Sequence, residues 1–151
     1  MWVLIIARLL VQHHSSQISM EEKTYEYYCY QLIRRRSRQS SEFYTEKLGF
    51  VKKHDVPSGK FRWITIVSSD DQHGTELVLE PNENPIANDY QKRLFTEGIP
   101  ATMFGVADIH KEYQRLSEKG LNFTMAPTKM GEVIIAVFDD TCGNLIQIIQ
   151  Q

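Results

Sequence analysis

A repeated loop constrains this chain more than any other feature. Asp70-Asp71-Gln72-His73-Gly74 and Asp139-Asp140-Thr141-Cys142-Gly143 share the form Asp-Asp-x-x-Gly. Each joins two stretches rich in β-branched and aromatic residues, and each follows a helix–glycine–strand unit. A similarity this long implies one supersecondary unit used twice.

The first unit reads as follows. SSEFYTEKL is a short helix in which Phe43, Tyr44 and Leu48 share a face. Gly49 can take the left-handed conformation that ends a helix, and Phe50-Val51 opens a strand. Pro57-Ser58-Gly59 is a turn. FRWITIVS (61–68) and TELVLEP (75–81) are strands, the second closed by Pro81.

The second unit repeats the plan. PATMFGVAD (100–108) is a strand, and Asp108 can cap the helix IHKEYQRLSEKG (109–120), again ended by a glycine. LNFTMAP is a strand stopped by Pro127, followed by the strands EVIIAVFDD and GNLIQIIQ. Between the units, ENPIANDYQKRLFTEGIP carries one helix, whose Ile86, Tyr90 and Leu94 recur at fours and are expected to cover a sheet edge. With YYCYQLI (27–33) as its first strand, each half reads strand-helix-strand-strand-strand. The fold class is α+β. Module one spans 27–81, a linker helix lies in 82–99, module two spans 100–151, and an atypical extension fills 1–26.

The 151 residues, 42% hydrophobic, suit a single domain with a real core. A net charge of -2 offers no general attraction to nucleic acid or to an anionic membrane, and no apolar run is long enough to span a bilayer. The basic run Arg34-Arg35-Arg36-Ser37-Arg38 lacks interleaved aromatics and reads as a solvated loop. Two cysteines, Cys29 and Cys142, make no disulfide framework, so a reducing compartment, the cytoplasm, is expected. MWVLIIARLLVQHHSSQIS has neither a basic leader nor a clear cleavage site, which argues against an export signal.

EFYTEKLGF, ELVLEP, GVADIHKEYQRLSEKG and VFDDTCGNLIQI together resemble the vicinal oxygen chelate superfamily, the group of glyoxalase I, bleomycin-resistance proteins and extradiol dioxygenases. The likeness covers about Tyr28 to Gln151. It implies paired βαβββ modules whose mostly antiparallel sheets curl into a cup. In metal-using members, the first and last strands of each module supply ligands to a divalent ion that binds neighbouring substrate oxygens. The stretch before Glu42 departs from that pattern. An apolar strand end and apolar residues before Phe43-Tyr44 are replaced by the arginine run and by Ser40-Ser41.

The resemblance places the ligand positions at Cys29, with Gln31 next on its face, at Glu76, at Ala101, with Met103 next, and at Gln147. A register slip would bring Val78 or Glu80 to the second position. Glu76 and Gln147 are acceptable oxygen donors. Cys29 is unusual beside a hard ion, and Ala101 coordinates nothing. His13, His14, His54, His73 and His110 all lie away from the expected strands. No metal cofactor is therefore expected; if one binds, Gln31, Glu76 and Gln147 would hold it. The expected function is binding of a small polar or aromatic molecule in the cup, with Arg62, Trp63, Glu76, Met103 and Gln147 as its contacts. The alternatives are a metal-dependent lyase, isomerase or dioxygenase, with Glu76 as the catalytic base that moves a proton, and a degenerate copy with no ligand, its cup filled by side chains. Glu76 as a half-solvated strand carboxylate, Gln147 as a solvent-facing amide, and Trp63 as a core residue with Arg62 facing solvent are the plainer readings. Family members often pair as two-fold dimers that share cups, so a homodimer is expected by analogy.

Overall fold

The structure, a computed structural model, describes residues 29–34 and 37–151. The expected extension over 1–26, the start of the YYCYQLI strand, His13, His14 and the Arg35-Arg36 pair lie outside the described residues.

Among the described residues, strand β1 (Cys29–Arg34) leads to helix α1 (Ser37–Glu42), which widens into a π turn over Phe43–Lys47. Strands β2 (Val51–Ser58), β3 (Phe61–Val67) and β4 (Glu76–Pro81) follow. Helix α2 (Pro85–Thr96) connects to β5 (Thr102–Gly105), helix α3 (Ile109–Glu118), and strands β6 (Phe123–Met130), β7 (Val133–Asp139) and β8 (Leu145–Gln150). Two four-stranded mixed sheets result, in the orders β1-β4-β3-β2 and β5-β8-β7-β6. In each, the first strand runs parallel to the last of its unit and the other neighbours are antiparallel. The duplication read from the sequence is thus a duplication of topology.

Local signals explain the boundaries. Gly49 and Gly120 both adopt positive φ where their helices stop, the conformation that costs a residue with a Cβ. After the first, the Phe50 amide donates to the Tyr44 carbonyl at 3.0 Å. Asp108 caps α3 as the sequence predicts, accepting from the amides of His110 and Lys111 at 3.1 and 3.0 Å. Other expectations shift. Pro57 and Pro127 sit inside β2 and β6 instead of ending them. Both strands lie at sheet edges, where a missing N–H breaks no ladder bond on the open side.

The linker helix faces the other way from its expected orientation. Ile86 and Tyr90 are exposed, Ile86 by 80%, whereas Gln91 is buried. Buried hydrogen bonds outweigh apolar spacing here. The Gln91 amide donates to the Ile33 and Cys142 carbonyls and to Asn144 Oδ1, and accepts from Asn82 Nδ2.

One core joins the two units. Leu32, Ile64, Ile66, Leu77 and Leu79 from the first sheet and Ala136, Phe138, Ile146 and Ile148 from the second share it with Phe43 and Tyr44 of the π turn and with Ile109 and Leu116 of α3. The helical segments therefore lie between the two sheets. Phe43 meets Phe138 at 6.4 Å between ring centroids, and the Tyr44 hydroxyl donates to Asp140 Oδ2 at 2.8 Å. Asp140 is fully buried. It also accepts from the amides of Cys142 and Asn144 and from Asn144 Nδ2. Each repeated Asp-Asp-x-x-Gly loop turns the chain between two strands, and the second also anchors the first unit's aromatic pair.

The arginine run leaves its mark on this core. Arg34 follows Leu32 on the inward face of β1 and is buried. Its Nε donates to the Leu79 carbonyl, but Nη1 and Nη2 have no partner. Ser40 and Ser41 occupy buried positions, as expected of sites where apolar residues stand in the resembled family.

Candidate functional site

Because Leu77, Leu79, Ile64 and Ile66 face the shared core, period-two alternation turns Glu76, Val78, Glu80, Trp63, Thr65 and Val67 to the opposite, outer face of the first sheet. Register adds Cys29 and Gln31, the Cα partners of Glu76 and Val78. In the second sheet, Ile146 and Ile148 face inward, so Gln147 and its partners Met103 and Val137 face outward.

Glu76 is the centre of the first face. Its side chain is 3% exposed, and its Oε1 lies 3.0 Å from Lys53 Nζ and 3.8 Å from His54 Nε2. Sequence reasoning missed both partners. In a regular strand, neighbours 53 and 54 would point to opposite faces. A bulge in β2 between Lys52 and His54 adds one residue to the strand, and both side chains reach the same carboxylate across β3. A bulge leaves little trace in sequence; the only hint is the paired basic side chains in a strand whose partner carries an outward carboxylate. Burial raises the Cys29 thiol above its ordinary value, and the Glu76 and Glu80 charges add to the rise. Burial likewise raises Glu80. The Thr65 hydroxyl lies on this face opposite His54, buried and without a hydrogen-bond partner.

The remaining predicted residues are distributed as follows. Trp63 is on the outer face with Thr65, whereas its neighbour Arg62 turns the other way. There Arg62 Nε donates to Asp55 Oδ1 at 2.6 Å and Nη2 to the Asp55 carbonyl at 3.0 Å. Hydrogen bonds from Lys52 first, and from Arg62 second, hold the Asp55 carboxyl below its usual value. Gln31 is exposed on β1. Gln147 Nε2 reaches the Met103 sulfur at 3.0 Å, a weak acceptor that a ligand oxygen would outcompete. Glu76 and Gln147 face away from the core on opposite sides, so one chain does not bring them together.

The donor set at Glu76 does not suit a divalent ion. Its carboxylate is committed to an ammonium, and Ala101 offers no donor. Among the described residues, no cluster of three or more His, Cys, Asp or Glu side chains is arranged to hold a metal. A separate hollow of about 190 Å³ lies between the units, walled by residues including Leu48, Phe50, Phe104 and Leu116, with Asp70 and Glu112 among its polar lining. Glu112 is already paired with Arg115 there. Among the described residues, no helix is long and apolar enough to cross a membrane.

Comparison with known proteins agrees with the topology. The chain is 77% identical over 110 residues to the uncharacterized protein YurT of Bacillus subtilis (strain 168), an alignment covering 73% of this chain and 87% of YurT. The structure of UcmS2 superposes with a TM-score of 0.73 at 25% identity, covering 84% of this chain and 98% of UcmS2. TnmS3, an antibiotic binding protein from Streptomyces sp. CB03234, superposes with a TM-score of 0.66 at 20% identity, covering 86% of this chain and 98% of its own. The sequence profile of the glyoxalase/bleomycin resistance protein/dioxygenase superfamily matches residues 28–148. With its doubled βαβββ topology and that match over most of its length, the chain belongs to the glyoxalase/bleomycin resistance protein/dioxygenase superfamily.

Proposed function

We propose that the chain binds a small polar or aromatic molecule against the outer faces of its sheets, without metal chemistry. The observation that carries this reading is the commitment of Glu76, the carboxylate at a family ligand position, to Lys53 and His54. Trp63 offers an aromatic face, Met103 a polarizable thioether and Gln147 an amide for such a ligand. Because Glu76 and Gln147 lie on opposite sides of one chain, the reading includes a two-fold homodimer. In it, the first sheet of one copy faces the second sheet of the other, and the cup closes between them. The exposure of Met103, 53%, and of Met125, 37%, on the second sheet's outer face supports that pairing. TnmS3 supports only the capacity of the fold to host a bound antibiotic, since 20% identity is a likeness of fold. Unpaired Cys29 and Cys142 fit a reducing compartment such as the cytoplasm.

The test is a thermal-shift series on purified chain with planar aromatic compounds and, separately, with Ni(II), Zn(II), Mn(II) and Fe(II), together with elemental analysis. Stabilisation by an aromatic compound and none by metal is the expected result. Near-stoichiometric metal in the purified protein would overturn it in favour of a metal-dependent lyase, isomerase or dioxygenase.

A further inference from the structure

We infer that Lys53 takes the electrostatic place of a metal ion at the Glu76 corner, and that the corner selects ligands through a neutral carbonyl oxygen rather than a carboxylate. This rests on the binding reading above and narrows its ligand class.

The argument is one of charge count. A divalent ion beside one carboxylate keeps a positive charge for an anionic substrate oxygen. An ammonium beside one carboxylate keeps none. Lys53 Nζ, 3.0 Å from the nearly buried Glu76 carboxylate, forms a pair whose net charge is zero. With the His54 imidazole neutral, the other charges facing this corner do not alter that balance in an anion's favour. Glu80 on the same strand face adds a further acidic group, and Cys29 is held toward its neutral thiol. Arg62 and Lys52 are spent on Asp55. A carboxylate entering here would meet Glu76 with no surplus cation to balance it.

Hydrogen-bond donors are nevertheless in excess. An ammonium has three N–H groups, and Glu76 Oε1 engages the nitrogen from one side. Thr65 Oγ1 is buried, 1% exposed as a residue, and lacks any partner. It sits on β3 opposite His54, whose ring approaches Glu76 Oε1 at 3.8 Å and whose side chain is 44% exposed. Binding requires the partly exposed His54 side chain to swing aside, so that an oxygen taking its place accepts from Lys53 and reaches the otherwise closed-off Thr65 hydroxyl. A buried hydroxyl without a partner is unfavourable, so satisfying it contributes directly to binding. A neutral acceptor gains both bonds without bringing an unbalanced charge. Trp63, two residues along the same face, supplies a surface for the ring that carries the carbonyl.

Three probes of one shape test this on the full chain: 2-acetylnaphthalene, 2-naphthoate and naphthalene, followed by thermal shift and calorimetric titration. Wild type should bind 2-acetylnaphthalene about tenfold tighter than either of the others, roughly 1.4 kcal/mol. Thr65→Val should keep or raise the wild-type melting temperature, since it removes a buried hydroxyl without a partner, and should lose most of that preference. Glu76→Gln removes the negative charge held beside the Lys53 ammonium and should shift the preference toward 2-naphthoate. Tighter binding of 2-naphthoate by wild type, or a Glu76→Gln variant with unchanged preference, would overturn the inference. Equal binding of all three probes would also overturn it while leaving the binding reading intact. Binding of none of them, or of any other aromatic in the series above, would overturn both.

Discussion

Replacing Arg34 by methionine is expected to stabilise the protein, although it removes a hydrogen bond. Arg34 is 1% exposed. Burial lowers its guanidinium from its ordinary value to about 10, a drop only partly offset by Cys142, Glu80 and Asp55. At about 1.4 kcal/mol per tenfold, that depression opposes the charged form by roughly 3 kcal/mol. The sign follows from linkage. A base whose folded value is lowered carries its penalty in full below the folded value and sheds it only as pH rises from about 10 toward the ordinary guanidinium value. At neutral pH, the penalty is therefore wholly present. Methionine conserves length, fills irregular space and has no charge to desolvate. It forfeits the Nε bond to the Leu79 carbonyl, a loss of about 1 kcal/mol. The net gain is about 1–2 kcal/mol, or roughly 3–8 °C in melting temperature for a chain of this size. Calorimetry and urea unfolding at pH 7 measure it. An unchanged urea slope with a higher midpoint is expected, and the advantage should shrink above pH 10. A loss of more than about 1 kcal/mol would refute the reasoning, because it would mean that the two unpartnered amino groups are compensated in the folded chain.

Two further perturbations probe the join between the units and the surface charges. Tyr44→Phe removes a donor from the buried Asp140 carboxylate and should cost about 1.5–3 kcal/mol, read by urea unfolding, while leaving the helical circular dichroism unchanged. Acid unfolding should steepen as pH falls below the ordinary carboxylate range. Asp55 and Asp108 are both held low, Asp55 first by Lys52 and Asp108 first by the Lys111 amide. Their stabilisation is present above the unfolded value and lost as pH falls through the folded one. Asp55→Asn should flatten that limb in a melting-temperature series.

Much of the architecture was legible because it depends on local rules. Gly49 and Gly120 marked helix ends through backbone freedom, Asp108 marked a helix start through its side-chain oxygen, and Leu145 to Gln150 marked a strand. The duplicated loop exposed the repeat. What escaped depends on relations between elements. Pro57 and Pro127 stop a central strand but not an edge strand, and edge status follows from sheet order. Ile86 and Tyr90 have the spacing of a buried face, yet Gln91 turns inward because carbonyls and an amide of distant segments converge there. Arg62 and Trp63, adjacent in sequence, separate to opposite faces by strand alternation. For the candidate site, Glu76 could be singled out from its strand and its likeness, but Lys53 and His54 depended on a one-residue register shift. That Gln147 lies across the core from Glu76 follows from how two sheets share one set of helices, which no local pattern encodes.

The bulge in β2 makes the charge of the Glu76 corner a matter of residue count as much as residue identity. Deleting one residue between Lys52 and His54 would restore strict alternation, swing one basic side chain to the far face and leave the carboxylate without its ammonium. Insertions and deletions along this edge strand are thus a shorter path between an ion-accepting hollow and an ion-free one than a series of point substitutions.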